Sequence, residues 1–305
     1  VNDMTTLWIV FNTVVFCLLA IDLYRHRSAK AHTIELKEAL WTTAFWITLA
    51  LAFNLFIYFY MGSEKAIQFL TAYLVEEALS VDNLFVFALI FESFAVPEIY
   101  RHQVLFWGIL GAIILRALFI LVGMALVQKF HWLFYILGAV LIYSGIKLLA
   151  KKDELVNPGE NWAVRLFRKF FPVTDTFHQG HFFVKEKGLW MATPLFLVLL
   201  SVEFVDVIFA LDSIPAVLGI TDDLFIAYSS NILAIMGLRS LYFVLAHSLK
   251  LLHYLHYALA AILIFIGAKM LLGGWIHVPI SLSLGFVVIA LVGATCASFI
   301  WKKTP

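Results

Sequence analysis

The run VEFVDVIFALDSIP at 202–215 poses the problem of the whole chain. It is apolar enough for lipid, as are the stretches around it, yet Glu203, Asp206 and Asp212 sit inside it. A charge at mid-membrane costs roughly 2.5–3.5 kcal/mol on insertion, and each Leu or Ile returns only about 0.3–0.6. Three acids therefore cancel most of what the rest of one helix supplies. Such a helix is marginal alone and needs a polar partner or a cavity. A second cluster, Glu76, Glu77 and Asp82, lies in EEALSVDNLFVFAL at 76–89, and is the obvious partner.

The rest of the chain fits a lipid environment. Of its 305 residues, 63% are hydrophobic and 13% charged, and mean hydropathy is +0.95. A soluble domain carries about 25% charge and 45–50% apolar residues, so the composition defines a polytopic, all-α membrane protein. The net charge of +1 gives no case for nucleic acid as a partner. Cys17 and Cys296 fall in apolar runs near opposite ends and read as packed thiols rather than a disulfide or metal pair. The start, VNDMTTLW, has no basic segment before its apolar run, so the first apolar segment reads as a retained helix rather than a cleaved signal.

Runs long enough to span number nine, at about 5–23, 41–61, 67–94, 103–127, 132–149, 191–217, 224–248, 253–272 and 279–301. With the N-terminus outside, the basic residues from Arg25 and Arg27 to Lys302 and Lys303 fall inside, and only Lys65 and Lys129 outside. The positive-inside rule then gives an external N-terminus and a cytoplasmic C-terminus. The one long connection, 151–190, is cytoplasmic on this reading. Within it NWAVRLFRKFF (161–171) sets Trp162, Leu166, Phe167 and Phe170 on one helical face, with Arg165, Arg168 and Lys169 elsewhere. That pattern fits an interfacial helix or a loop helix packed on the bundle.

The chain also repeats itself. ILGAIILRALFILVGMAL around Arg116 matches ILAIMGLRSLYFVLAHSL around Arg239, and KFHWLFYILGAVLIYSGIKLL (129–149) matches LLHYLHYALAAILIFIGAKMLL (251–272). EEALSVDNLFVFAL matches VDVIFALDSIPAVL (205–218), placing Glu76 on Asp206, Asp82 on Asp212 and Asn83 on Ser213. Two three-helix units follow, about 71–150 and 193–272, within a single transmembrane domain. Equivalent helices lie an odd number of spans apart, so the second unit is inverted. Inverted repeats place a transport site near the midplane, between the units.

The acids are spaced six apart, which on an ideal helix sets them about 120° apart rather than stacked. Convergence on one ligand therefore calls for a break or an unwound turn, which Pro215 could supply. Arg116 and Arg239 lie near mid-span and can balance part of the acidic charge; Lys147 and Lys269, nearer helix ends, can snorkel. Buried ion pairs that only specify packing are the bland alternative, and Glu77, with no clear twin, suits it best. Oxygen donors favour hard cations such as Mg²⁺, Ca²⁺ and Mn²⁺. His178 and His181 form a weak H-x-x-H, Asp222 and Asp223 read as a helix cap, and Glu92 and Glu98 as solvated loop acids.

The motifs EEALSVDNLFVF, FVDVIFALDSIPAV and NILAIMGLRSLYF together resemble the TerC family of integral membrane proteins, in its longer, Alx-like bacterial branch. The resemblance covers nearly the whole chain, and that family resembles the LysE-type exporter superfamily in architecture. It implies export of Mn²⁺ across the bacterial inner membrane, with links to tellurite resistance and alkaline-pH response. Carried onto this chain, the metal positions are Glu76, Asp82, Glu203, Asp206 and Asp212. Glu77, Asn83 and Ser213 stand as a second layer, with DS at 212–213 where the first run has DN at 82–83. No nucleotide-binding loop is present in the sequence, so a gradient, with protons as the possible counter-ion, must drive transport. The expectation is a secondary transporter with no prosthetic group, not an enzyme. The alternatives are a membrane-protein biogenesis factor, as the resemblance to plant members suggests, a Ca²⁺/H⁺ exchanger, and an amino-acid exporter.

Overall fold

A computed structural model describes residues 3–27, 36–150, 162–186, 188–246, 254–273, 275 and 278–300. They form two compact units, Val1–Ile34 and Glu35–Pro305. The first holds one helix, α1 (Asp3–Arg27), whose apolar stretch Met4–Ile21 is long enough to cross a bilayer. Its polar side chains are absorbed locally: Asn12 Nδ2 donates to the Trp8 carbonyl at 2.9 Å and Thr13 Oγ1 to that of Ile9 at 2.7 Å.

The second unit runs α2 (Leu36–Met61), α3 (Ser63–Ser93), α4 (Glu98–Lys129), α5 (Trp132–Ala150), α6 (Trp162–Phe170), a hairpin of β1 (Phe183–Glu186) and β2 (Leu189–Ala192), then α7 (Pro194–Leu218), α8 (Leu224–Ala246), α9 (Leu255–Leu272) and α10 (Ile280–Ile300). Against nine expected spans, eight helices among the described residues have membrane-spanning length and apolarity. The difference is α3. Its 31 residues give about 46 Å of helix, ample for a crossing, but Glu64, Lys65, Glu76, Glu77, Asp82 and Glu92 dilute its apolarity. Lys30, Lys151, Lys152, Lys187, Lys250, Lys302 and Lys303, which enter the orientation argument, lie outside the described residues.

Two expectations are corrected. The break at the acidic motifs does not occur: α3 and α7 each run through their acids as one helix, with Pro215 inside α7. Pro215 stands three residues before the end of α7, where it removes only one donor, for the carbonyl of Leu211. The cysteines are free thiols, but they sit on exposed helix faces rather than in the packing. The hairpin was not anticipated. Its signal, a glycine between short alternating runs, is hidden by the charge of the surrounding loop, and Gly188 takes a φ of +84° there.

The described part of the long connection, from Trp162 onward, is folded. α6 packs on α7, with Val164 buried. Phe167 and Phe183 both meet Phe196 at the start of α7, with centroids 5.1 and 4.6 Å away. α6 thus packs on the bundle, while Leu166, Phe170, Leu189 and Trp190 remain exposed.

The closest helix pairing is α5 with α9. A Cβ on Gly138 would lie 3.0 Å from the Gly267 carbonyl oxygen, and one on Gly145 would lie 2.8 Å from that of Ala260. As residue number rises on α5 it falls on α9, so the two cross antiparallel. Small residues at such contacts let helix backbones approach, which is how apolar helices associate where lipid removes the hydrophobic drive. The α4–α7 pair runs the other way: Gly108 meets Val202, Gly111 meets Glu203 and Gly123 meets Ile214 and Leu218, in parallel register. Gly267→Leu, forced against the α5 backbone, is expected to cost about 1–3 kcal/mol or more by overpacking. Gly293→Ala on α10, with nothing within 4 Å of its added Cβ, should leave thermal unfolding unchanged. Melting of the purified proteins checks the contrast.

Candidate functional site

The acids collect around one side chain. Arg116, on α4, is 1% exposed and is among the largest fully buried side chains. Its Nη2 donates to Asp206 Oδ1 at 2.9 Å and its Nε to Oδ2 at 3.4 Å, so the guanidinium edge takes the α7 carboxylate with two donors. Nη1 donates to Ser213 Oγ at 3.1 Å, two turns further along α7, and also pairs with Glu76 Oε1 on α3. The other Glu76 oxygen accepts from Asn231 Nδ2 on α8 at 2.9 Å. Four helices are thus tied through one cation. Glu76 and Asp206, one from each acidic run, meet at this centre.

The remaining acids separate from it as helical geometry requires. Asp212, about 120° around α7 from Asp206, accepts from Ser144 Oγ of α5 at 2.6 Å and is only half-buried. Glu203 is half-buried and lies against Gly111 of α4; a Cβ there would overlap its carboxylate, and Oε2 is buried with no hydrogen-bond partner. Glu77 points to another flank, where its Oε1 lies 3.9 Å from a Cβ built on Gly237 of α8. Among the described residues no ion pair joins Glu77 or Glu203 to a cation. Asp82 lies within α3, and its side chain is outside the described residues. Asn83, Ser213 and Arg239 are buried, as is Ser80, whose Oγ has no partner.

Among the described residues no group of three or more His, Cys, Asp or Glu comes together tightly enough to hold a metal. Glu76 and Asp206 are occupied by Arg116, and Asp212 faces α5. Beside them, a cavity of about 10 Å³ lined by Phe87, Leu105, Gly108, Ile109, Ala112, Val202, Asp206 and Leu238 touches the Asp206 side, about the space one water needs.

Peripheral residues fall mostly as their chemistry suggests. Asp223 caps α8, its Oδ1 accepting from the Phe225 and Ile226 amides at 3.0 and 3.3 Å, and Lys65 lies 3.2 Å from it. Glu92 and Glu98 are exposed. His178 pairs with Glu186 at 3.3 Å rather than with His181. Lys147 is exposed, but Lys269 turns inward to Ser283 of α10 at 3.2 Å. Sequence reasoning missed Asn231, Ser144 and Gly111. Each had a faint signal: an amide, a hydroxyl and a glycine within largely apolar helical runs.

A long apolar bundle whose central contact is a buried arginine between two acids defines a multi-pass integral membrane protein with an ionisable core. The particular family follows from comparison with known proteins. The chain matches the family described as "Integral membrane protein TerC family" over residues 61–305, and it belongs to that family. It is 45% identical over 298 residues to the "Uncharacterized membrane protein STKORF319" of Myxococcus xanthus, covering 97% of this chain and 92% of that protein. It is 43% identical over 294 residues to the "Putative membrane-bound redox modulator Alx" of Escherichia coli (strain K12), covering 94% and 92%. No solved structure matches it.

Proposed function

We propose that the chain is a secondary transporter that exports a divalent cation, Mn²⁺ first among the candidates, from the cytoplasm across the bacterial inner membrane. The observation that carries this is the meeting of Glu76 and Asp206, equivalent acids of two similar sequence runs, at one buried point. Buried acids beyond the number of their cationic partners are costly, so a site that keeps them is built for a cation that comes and goes. Oxygen donors from Glu76, Asp82, Glu203, Asp206 and Asp212 suit Mn²⁺ or Ca²⁺.

Two inverted three-helix units support the reading: α3, α4 and α5 against α7, α8 and α9. The antiparallel α5–α9 crossing and the parallel α4–α7 packing fit a two-fold axis in the membrane plane, as does the architecture resembling LysE-type exporters. Such an axis lets the bundle open to either side around a fixed site. Protons are the natural counter-ion, because carboxylates must be deprotonated to bind metal. With the N-terminus outside, the α6–hairpin piece lies on the cytoplasmic face. Its exposed Phe170, Leu189 and Trp190 are what favours the second reading, a biogenesis factor that contacts other proteins there. The two separate in one experiment. In a manganese-sensitive bacterial host, the chain should lower cellular manganese, and Asp82→Asn with Asp212→Asn should abolish this while deletion of 162–190 does so only weakly. The opposite ranking contradicts the transporter.

A further inference from the structure

Arg116 occupies the place that a transported cation would need. Its guanidinium spans Glu76 and Asp206 and draws in Ser213 as well. Both acids are engaged by it, and among the described residues no third His, Cys, Asp or Glu joins them in a metal-sized cluster. Resting on the transport reading above, we propose that Arg116 is a tethered competitor of the transported divalent cation. It holds the acids while the site is empty, must leave them for metal to bind, and displaces the metal on its return.

Three features support this over a purely structural pair. First, the hold is divided. Asp206 takes two donors of the fork, while Nη1 is shared between Ser213 and Glu76. The Glu76 contact can therefore be released without breaking the Asp206 fork. Second, the other Glu76 oxygen is held independently by Asn231 of α8, so the carboxylate keeps one partner when the arginine moves. Third, the cluster is unbalanced: one guanidinium against two carboxylates leaves one negative charge, and replacing the guanidinium by a divalent cation leaves none. The site thus tolerates either occupant, and low-dielectric surroundings penalise having neither.

The competitor makes a prediction of unusual sign. A ligand that binds only the fraction of molecules with the site free has its apparent affinity reduced by that fraction. Removing the arginine should tighten Mn²⁺ binding while stopping export, since nothing then expels the ion. Mn²⁺ binding is measured by calorimetry on the full chain in lipid nanodiscs for wild type, Arg116→Ala and Arg116→Lys, with melting followed alongside. The expected result is at least about tenfold tighter binding in Arg116→Ala, a smaller gain in Arg116→Lys, and a larger Mn²⁺-induced rise in melting temperature in both. Millimolar guanidinium should weaken Mn²⁺ binding in Arg116→Ala and leave wild type unaffected, a response that a structural role does not produce. Should Arg116→Ala fail to fold, Arg116→Lys with the same titration decides. Mn²⁺ bound by wild type but equally or more weakly by the folded variants overturns the competitor and leaves the transporter reading standing. No Mn²⁺ bound by any of the proteins overturns the transporter reading, and the competitor with it.

Discussion

Glu76→Gln is expected to stop Mn²⁺ transport and yet leave the protein as stable as wild type. Charge counting at Arg116 gives the reason. Wild type buries one guanidinium with two carboxylates, Glu76 and Asp206. Glutamine at 76 removes the excess charge and keeps the shape: its amide oxygen can accept from Arg116 while its NH2 donates to Asn231, whose Oδ1 has no partner in wild type and whose amide need only flip. Arg116 retains its two-donor grip on Asp206. Breaking a buried pair costs roughly 3–5 kcal/mol only when it strands a charge, and here none is stranded, so the melting temperature should hold or rise. Transport should fall by at least roughly 100-fold, more than losses typical of outer-layer partners of metals. Arg116→Gln is the contrast: it strands two acids and should melt well below wild type without Mn²⁺. Thermal unfolding and vesicle flux on the same preparations separate the two quantities. A Glu76→Gln protein that unfolds early yet transports normally would make the acid structural.

Gly111→Ala should likewise spare stability and damage function. A Cβ at 111 would come within 2.5 Å of Glu203 Cδ and 2.6 Å of Oε2, well inside any real contact. What it meets is the end of a flexible side chain, so Glu203 swings aside rather than α4 moving, and the stability cost stays within about 1 kcal/mol. The carboxylate is then out of place, and transport should drop about tenfold or more. Glu203→Asp, one methylene shorter, should restore much of the loss in the double variant, a coupling expected only of groups in contact. Flux in the single and double variants tests it; additive losses would remove Glu203 from the path.

The legible part of this fold is the part that hydrophobicity writes. Helices α2, α4, α5 and α7 to α10 stand where the apolar runs place them, because a bilayer-length helix needs little beyond its own composition. The acids and the arginine were legible for the complementary reason: charge in such a helix stands out against its surroundings. Their pairing was not. The spacing of Asp206 and Asp212 correctly implies two directions, but that Asp206 turns to Arg116 and Asp212 to Ser144 depends on how α4 and α5 pack, which no local pattern carries. The expected break at Pro215 failed because a single missing hydrogen bond is a weak perturbation inside a packed helix. The hairpin at 183–192 stayed hidden because its residues are too few and too charged to show a two-residue period. Gly138, Gly145 and Gly267 looked like ordinary membrane glycines, and only the α5–α9 crossing gives them meaning.

The central claim is that the buried acids move a divalent cation. It is tested most directly by Mn²⁺ flux in proteoliposomes carrying a pH dye inside, with wild type beside Asp212→Asn and with Ca²⁺ and Mg²⁺ as competitors. The account predicts Mn²⁺ movement with opposing proton flow in wild type and neither in the variant, which keeps its Ser144 hydrogen bond and loses only the charge. Wild type that is well folded and moves no Mn²⁺, or an Asp212→Asn protein that moves it as fast, would contradict it.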